Sequence, residues 1–234
     1  LFIIISIITG FLLTYFLSAR YSIFERVAYG TVIGLGLHTW IVYLFSLLWG
    51  LQLKNIFISA TLLTVLCSVI LIIKWTSFKE KIISEIQDIK NDFLLNKISY
   101  YVHIAVFSFF TTIFWRLFYR TIIWKKDGMY IGLPNNYGDL PLHLAYITSF
   151  VWGNNIPPQD PSFAGEKLVY PFLSDFLSAI FLKLGLDFRD ILFIPGLLLT
   201  VAFYSILYYF AYRLTKRRFA AIISAFIFFF TGGF

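Results

Sequence analysis

The chain has 234 residues, of which 59% are hydrophobic, 21% aromatic and only 13% charged. A soluble domain carries about 25% charged residues, so this composition excludes a soluble protein and indicates an integral membrane protein. The single cysteine, Cys67, excludes a disulfide framework or a cysteine-based metal site built from this chain.

The net charge of +7 would suggest nucleic-acid binding if the protein were soluble. In a membrane protein, Lys and Arg residues beside apolar segments act as signals that orient the chain. We therefore expect no nucleic-acid partner.

Five apolar runs lack Asp, Glu, Lys and Arg, and about 20 such residues suffice to cross about 30 Å of hydrocarbon as a helix. They are residues 1–19, 27–49, 56–73, 98–115 and 191–212. A sixth run begins at Phe219 and reaches Phe234, and the chain has no initiating Met. The predicted fold class is all-α, a polytopic transmembrane protein with juxtamembrane helices on its outer side, forming the N-terminal fragment of a longer chain.

The orientation follows from the basic residues. Segments 20–26, 74–97 and 213–218 hold 11 of the 19 Lys and Arg residues, so the positive-inside rule makes them cytoplasmic. Residues 125–190 then lie outside, provided that the apolar segment 171–186 lies at the outer surface and does not span the membrane. The predicted organisation is three spans and a cytoplasmic amphipathic helix over residues 1–97, followed by a second part over residues 98–234.

The first three spans contain few chemically active groups. Gly30, Gly34 and Gly36 form a small-residue face suited to close helix packing. His38 and His103 could act as proton relays, but we expect neutral imidazoles hydrogen-bonded to neighbouring helices. The apolar spacing within residues 74–97 predicts the separate interfacial helix.

Arg116 and Arg120 lie four residues apart, on one face of the fourth span near its outer end. They have two possible roles. The first is contact with lipid headgroups. The second is binding the phosphate of a lipid-linked substrate, for which a permanently charged guanidinium is well suited.

The polar segment 137–170 contains the candidate chemistry. Asp139 precedes an apolar helical pattern with His143 one turn further on, so Asp139 could cap the helix or act in catalysis. Asp160 and Glu166 occupy a Pro-rich loop, where they could contact a sugar or a cation or could be ordinary solvated acids. For Asp175, in the next helix, we expect a solvent-facing position.

Three motifs in residues 98–234 resemble those of the GT-C superfamily, the multispanning glycosyltransferases that use polyprenyl-phosphate sugars and include the protein mannosyltransferases and aminoarabinose transferases. The motifs are YGDLPLHLAYI, VYPFLSDFLSAIFLKLGL and FIPGLLLTVAFYSILYYFAYRLTKRR. As in that family, they give an acidic residue opening one outer helix, a Pro-containing motif opening a second, and a span ending in a basic turn.

The resemblance implies that Asp139 is the general base or a metal-binding carboxylate. From its own chemistry, His143 is a candidate hydrogen-bond partner of Asp139 or a further ligand of Mg²⁺ or Mn²⁺. Tyr170 matches the position before the family's prolines. Two departures are Leu140, where many members have a second acid, and Phe172, which replaces the second proline. The first departure weakens the case for a metal held by two carboxylates.

The predicted function is therefore transfer of a sugar from a polyprenyl-phosphate donor to a glycan, lipid or protein acceptor. The predicted location is the extracytoplasmic face of a bacterial or archaeal plasma membrane. Asp139 is the candidate catalytic residue. His143, Arg116, Arg120, Glu166 and Tyr170 are the candidate substrate-binding residues. Two alternatives are a transporter or flippase of lipid-linked saccharides, which should contain charged or broken helices at mid-membrane, and a non-enzymatic membrane scaffold.

Overall fold

A computed structural model describes residues 1–17, 21–133, 137–163 and 165–231. Within these ranges the chain forms eight α-helices and one small hairpin, and the protein is an all-α polytopic membrane protein. Arg20, counted above as an orientation signal, lies outside the described residues. The elements are α1 (Phe2–Thr14), α2 (Ile23–Trp49), α3 (Leu53–Leu95), α4 (Lys97–Tyr119), β1 (Ile122–Lys125), β2 (Gly128–Ile131), α5 (Asp139–Trp152), α6 (Leu173–Lys183), α7 (Asp190–Thr215) and α8 (Arg218–Phe230).

Among the described residues, four helices are long and apolar enough to cross a membrane, namely α2, α3, α4 and α7. Each contains one of the predicted apolar runs. Helix α1, with 13 residues, lies within the predicted run 1–19, and the full span over that run stays a prediction. The sixth run forms α8, which also has 13 residues.

Helix α3 continues beyond the membrane-spanning run. The sequence predicts a separate interfacial helix after that run, but α3 is unbroken over 43 residues, which corresponds to about 64 Å. Its second half is held against the rest of the bundle by Phe78, which packs edge-on against Tyr15, and by Glu85, which forms an ion pair with Arg26. These tertiary contacts explain why the amphipathic segment continues α3.

Helices α1 and α2 pack closely through glycines. A Cβ atom on Gly10, Gly30 or Gly34 would collide with the backbone of the opposite helix, whereas a Cβ atom on Gly36 would meet no atom within 4 Å. The predicted small-residue face is therefore confirmed for Gly30 and Gly34 and is wrong for Gly36.

Both intramembrane histidines link helices, as predicted. In α2, His38 is buried and bonds to Ser6 of α1 at 2.8 Å and to Ser59 of α3 at 3.1 Å. In α4, His103 bonds to the hydroxyl of Tyr208 in α7. These contacts satisfy the imidazoles, which therefore serve helix packing.

Ion pairs gather several helix ends at one end of the bundle, here called the basic end. Arg213 in the last turn of α7 contacts Glu25 in the first turn of α2 at 2.5 Å, and Arg218 of α8 contacts Asp92 of α3 at 2.6 Å. Since α2 and α7 run in opposite directions, the start of α7 lies at the other end of the bundle.

Helices α5 and α6 pack onto α2 and α7 through one hydrophobic core. Val42 and Tyr43 of α2, Ile147 of α5, Ile180 of α6 and Ile191 of α7 all belong to it. Helix α6 has 11 residues, so it is only about 16 Å long and does not span the membrane. Because α2 contacts both α6 and α7, the two predicted parts of the chain share one bundle, and their division at residue 97 stays a prediction.

A hairpin follows α4. Its strands are antiparallel, with Ile122 opposite Ile131 and Lys125 opposite Gly128, so Lys126 and Asp127 form a two-residue connection. Asp-Gly is a common hairpin signal, and Asp127-Gly128 lies at this connection, which the prediction of an all-α chain overlooked.

Candidate functional site

Helix α5 begins at Asp139. Its N-cap residue is Gly138, and no side chain makes a capping hydrogen bond, so the interpretation of Asp139 as the helix cap is wrong. Asp139 occupies the first turn, where a carboxylate interacts favourably with the helix dipole and where Pro141 is tolerated. The Asp139 side chain is exposed, and His143 follows one turn later.

Helix α6 packs beside α5 and carries an acid that sequence reasoning placed wrongly. Asp175 was predicted to face solvent, but the residue is only 5% exposed. It lies in the first turn of α6, directly before Phe176, which is fully buried against Phe150 of α5. The apolar contact between the two helices thus turns Asp175 toward α5.

His143 and Asp175 form a hydrogen-bonded pair between α5 and α6. Nδ1 of His143 lies 2.9 Å from Oδ1 and 3.0 Å from Oδ2 of Asp175. An ionised carboxylate only accepts hydrogen bonds, so Nδ1 carries the hydrogen and donates it. In the neutral imidazole, Nε2 is then the unprotonated nitrogen and can accept a proton from another molecule. The His143 side chain is 29% exposed and the Asp175 side chain 7% exposed, so the histidine is the accessible member of the pair.

Two tyrosines surround the histidine. The ring centroid of Tyr170 lies 5.7 Å from that of His143, and the ring of Tyr146 lies 6.3 Å away on the same helix as the histidine. Tyr146 is buried, whereas Tyr170 is 47% exposed. The structure thus brings the predicted residue Tyr170 next to the predicted residue His143, where its ring can contact a molecule that approaches Nε2.

Burial changes the acidity of two groups here. It raises the pKa of Asp175 above its ordinary value, although the hydrogen bond and the charge of His143 act in the opposite direction. It also raises the pKa of Tyr146, and the charges of Asp160 and Asp175 add to that rise.

The raised pKa of Asp175 makes the stability of the fold depend on pH. The carboxyl group of Asp175 holds its proton more tightly in the folded chain than in the unfolded chain. Its contribution to the free energy of unfolding therefore decreases as the pH rises from about 3.8 through the raised folded pKa.

We expect the substitution His143→Phe to raise the pKa of Asp175 further, because it keeps an aromatic ring but removes both effects that lower that pKa. Infrared spectra recorded across a pH series would follow the C=O stretch of the protonated carboxyl group, with Asp175→Asn identifying the band. A titration midpoint that is unchanged or lower in His143→Phe would contradict the described pairing.

The loop between α5 and α6 forms a polar rim. The Asn155 side chain donates to Ser149 and to the carbonyl of Gln159, and Asp160 accepts from the backbone of Ser162 at 2.8 Å. Residues of this rim line an open cavity of about 420 Å³.

Three predicted site residues lie apart from the pair. Glu166 is exposed, and its backbone pairs with the backbone of Asp160. Arg116 and Arg120 are exposed at the end of α4, a helix that packs mainly against α7. Within the described ranges, no hydrogen bond or ion pair joins either arginine to α5 or α6. Their assignment to phosphate binding stays a prediction.

The predicted divalent metal does not fit the donor groups present. Asp139 and His143 are two donors on one helix, and Nδ1 of His143 is already bound to Asp175. Among the residues that the structure describes, no three His, Cys, Asp or Glu side chains lie together as ligands. Protein sites for Mg²⁺ or Mn²⁺ are built from several oxygen ligands, so we derive no step through a metal.

The described part of the chain thus brings together His143, Tyr170 and the unpredicted Asp175, with Asp139 one turn away. Asp175 could have been suspected as an acid bordering the apolar face formed by Phe172, Phe176 and Ile180. Comparisons of the chain with protein-family models, with curated proteins and with solved structures found no match.

Proposed function

We propose that this protein is a membrane glycosyltransferase that moves a sugar from a polyprenyl-phosphate donor to a hydroxyl group of a glycan, lipid or protein acceptor. The observation that carries the proposal is the His143–Asp175 pair, in which a buried carboxylate orients an accessible imidazole. An imidazole held in one tautomer by a carboxylate is a general base suited to removing a proton from a hydroxyl group. The motif order that resembles the GT-C superfamily supports the choice of a lipid-linked sugar as donor.

The reaction assigns one task to each group. The acceptor hydroxyl gives its proton to Nε2 of His143 while its oxygen forms a bond to the anomeric carbon of the sugar. The bond between that carbon and the phosphate oxygen breaks, and its electron pair leaves with the polyprenyl phosphate. The negative charge of Asp175 stabilises the imidazolium that forms. Asp139, exposed one turn before His143, orients the acceptor by accepting a hydrogen bond from another polar group of the acceptor.

The donor must be held with its phosphate near the pair, and the charge of that phosphate must be neutralised as it leaves. Its polyprenyl chain stays in the membrane, and its phosphate lies at the boundary where α4 ends with Arg116 and Arg120. Guanidinium groups neutralise a leaving phosphate effectively. We place this site at the extracytoplasmic face, because the positive-inside rule makes the opposite, basic end cytoplasmic.

The unbroken spans argue against the transporter alternative. Transporters of the common inverted-repeat folds bind their substrates at discontinuous helices near the membrane midplane. Each of the four long apolar helices in the described chain is continuous, including α7, which contains Pro195. The accessible titratable pair lies on α5 and α6, outside these spans.

The test is transfer of a radiolabelled sugar by the full-length protein in proteoliposomes supplied with polyprenyl-phosphate hexoses or pentoses. We expect Asp139→Asn to lower turnover about 10- to 100-fold, as for the loss of a hydrogen bond to a charged group, while donor binding persists. Asp139 also remains the second candidate for the base, and a greater loss in Asp139→Asn than in His143→Gln would assign it that role. Full turnover in both variants would reject the assignment of the base to His143 or Asp139, and absence of transfer by the wild-type protein would reject the enzymatic proposal.

A further inference from the structure

A large cavity lies at the basic end, far from α5 and α6. It is open and measures about 1580 Å³, and its walls come from α2, the second half of α3, α4 and α7. Sites for soluble small molecules measure about 300–1,000 Å³. The cavity is therefore large enough for a ligand bigger than most metabolites.

The shape of the cavity follows from the divergence of α3 and α4. These helices meet at Asn96, but above this junction α4 turns to α7, where Phe110 packs on Tyr204 at a centroid distance of 4.8 Å. Facing residues of α3 and α4 therefore line opposite walls. Along α7 the lining extends from Leu198 to Lys216, which is about 27 Å of helix. Since one leaflet accounts for about half of the 30 Å hydrocarbon core, this length accommodates an acyl chain and its headgroup.

The walls change from polar to apolar with increasing distance from the junction. Asp92 and Arg218 lie near the junction, whereas Phe107, Leu198 and Val201 line the part further into the membrane. This gradient has the same direction as the polarity gradient of the surrounding lipid leaflet. An amphiphile can therefore enter the cavity with its headgroup at the basic end and its chains among the apolar residues.

The charged residues that line the cavity favour a headgroup of negative charge. Five Lys and Arg residues and four Asp and Glu residues line the cavity. Three of the cations form ion pairs with three of the acids: Arg26 with Glu85, Arg213 with Glu25, and Arg218 with Asp92. The remaining lining charges are those of Lys81, Lys216 and Asp88, which leave one net positive charge. Seven tyrosines along the wall add hydroxyl groups, namely Tyr15, Tyr21, Tyr100, Tyr204, Tyr208, Tyr209 and Tyr212.

We infer that this cavity binds an anionic glycerophospholipid with one net negative charge. The phosphate lies toward Lys81 and Lys216, the headgroup hydroxyls contact the tyrosines, and the acyl chains fill the space between α4 and α7. The lipid joins α3 to α4 beyond their junction. This site is separate from the His143–Asp175 pair, so it does not depend on the proposed function.

The first test fills the apolar part of the cavity. Ser108 of α4 lines it, whereas Ala105 is an exposed small residue on the same helix that does not. The full-length protein is reconstituted in vesicles of equal phosphatidylglycerol and phosphatidylcholine, extracted in mild detergent and examined by native mass spectrometry. We expect one phosphatidylglycerol per wild-type chain, at least about a tenfold lower occupancy in Ser108→Phe because of overpacking, and wild-type occupancy in Ala105→Phe.

The second test addresses the charge. The double substitution of Lys81→Gln and Lys216→Gln is expected to abolish the preference for phosphatidylglycerol over phosphatidylcholine. The matched control is Lys79→Gln with Arg217→Gln, which removes two neighbouring cations that do not line the cavity. Three outcomes would overturn the inference: no lipid retained by the wild type, as when another segment of the protein fills the cavity; equal retention of both lipids; or unchanged binding in Ser108→Phe.

Discussion

Sugar transfer by the full-length protein is expected to fall by about 10²- to 10⁴-fold when His143 is replaced by Gln, which is the usual contribution of a positioned general base. Gln keeps a polar side chain that can bond to Asp175, but it does not accept a proton at neutral pH. The loss should appear mainly in kcat, because His143 acts on the proton that moves in the transition state. Radiolabelled transfer in proteoliposomes measures it.

Substitution of the partner acid distinguishes orientation from simple packing. In Asp175→Asn the amide has nearly the same shape, but its NH₂ group can donate to Nδ1 of His143 and thereby stabilise the tautomer that is protonated at Nε2. That tautomer does not act as a base, so we expect a large loss of kcat in a folded protein. Asp187→Asn is the matched control, since Asp187 is an acid in the loop after α6 whose carboxylate bonds to Asp190. Equal activity of wild type and Asp175→Asn would eliminate His143 as a carboxylate-oriented base.

The positions of the long spans could be predicted from sequence because lipid imposes a simple constraint. Backbone groups inside hydrocarbon must be bonded within the helix, and the flanking side chains must be apolar for about 20 residues. Helices α2, α3, α4 and α7 satisfy this requirement with their own residues. Helix α1 lies within an apolar run that met the same compositional criterion, but its 13 described residues do not place it among the long apolar helices.

The end of α3 and the hairpin required information that hydropathy does not contain. Residues 74–95 could lie on a membrane surface or continue the preceding helix, and local periodicity is the same in both arrangements. Contacts of Phe78 with Tyr15 and of Glu85 with Arg26 determine the outcome. The hairpin was recognisable from Asp127-Gly128, but its apolar residues also suited an aromatic belt at the end of a span.

The candidate site shows the same division between local and tertiary information. Asp139 and His143 are four residues apart, so any helix places them on neighbouring turns. Asp175 is 32 residues from His143 and pairs with it only because α5 and α6 pack through Phe150 and Phe176. An acid in the first turn of a helix is common for electrostatic reasons, so the apolar face beside Asp175 could suggest its burial but could not identify His143 as its partner.

The close contact between α1 and α2 predicts a large loss of stability when a glycine at the contact is replaced. We expect Gly34→Ala to destabilise the protein by about 1–3 kcal/mol, as overpacking does, because the new Cβ would collide with the backbone carbonyl oxygen of Ser6. Backbone atoms cannot move aside as a flexible side chain can, so α1 must shift. That shift stretches the 2.8 Å bond between Ser6 and His38 and disturbs the stacking of Phe2 on His38, whose ring centroids lie 3.9 Å apart.

Gly36→Ala is the matched control for this prediction. It lies in the same helix and has the same gain in helix propensity of about 1 kcal/mol, but its Cβ meets no atom within 4 Å. The measurement uses Cys67, the single cysteine of the chain, which is buried in α3 with its sulfur 3.3 Å from Thr9 of α1. A maleimide dye that fluoresces on reaction with a thiol reports when heating separates α1 from α3.

Only Gly34→Ala should lower the transition temperature. Gly34→Ala should expose Cys67 at a temperature lower by about 2–4 °C for each kcal/mol lost, whereas Gly36→Ala should leave the transition unchanged or raise it. If both substitutions raised the midpoint, helix propensity would dominate at both positions and α1 would not approach α2 through Gly34. If both lowered it equally, α2 would be sensitive to any added methyl group, and the close contact at Ser6 would not be the cause.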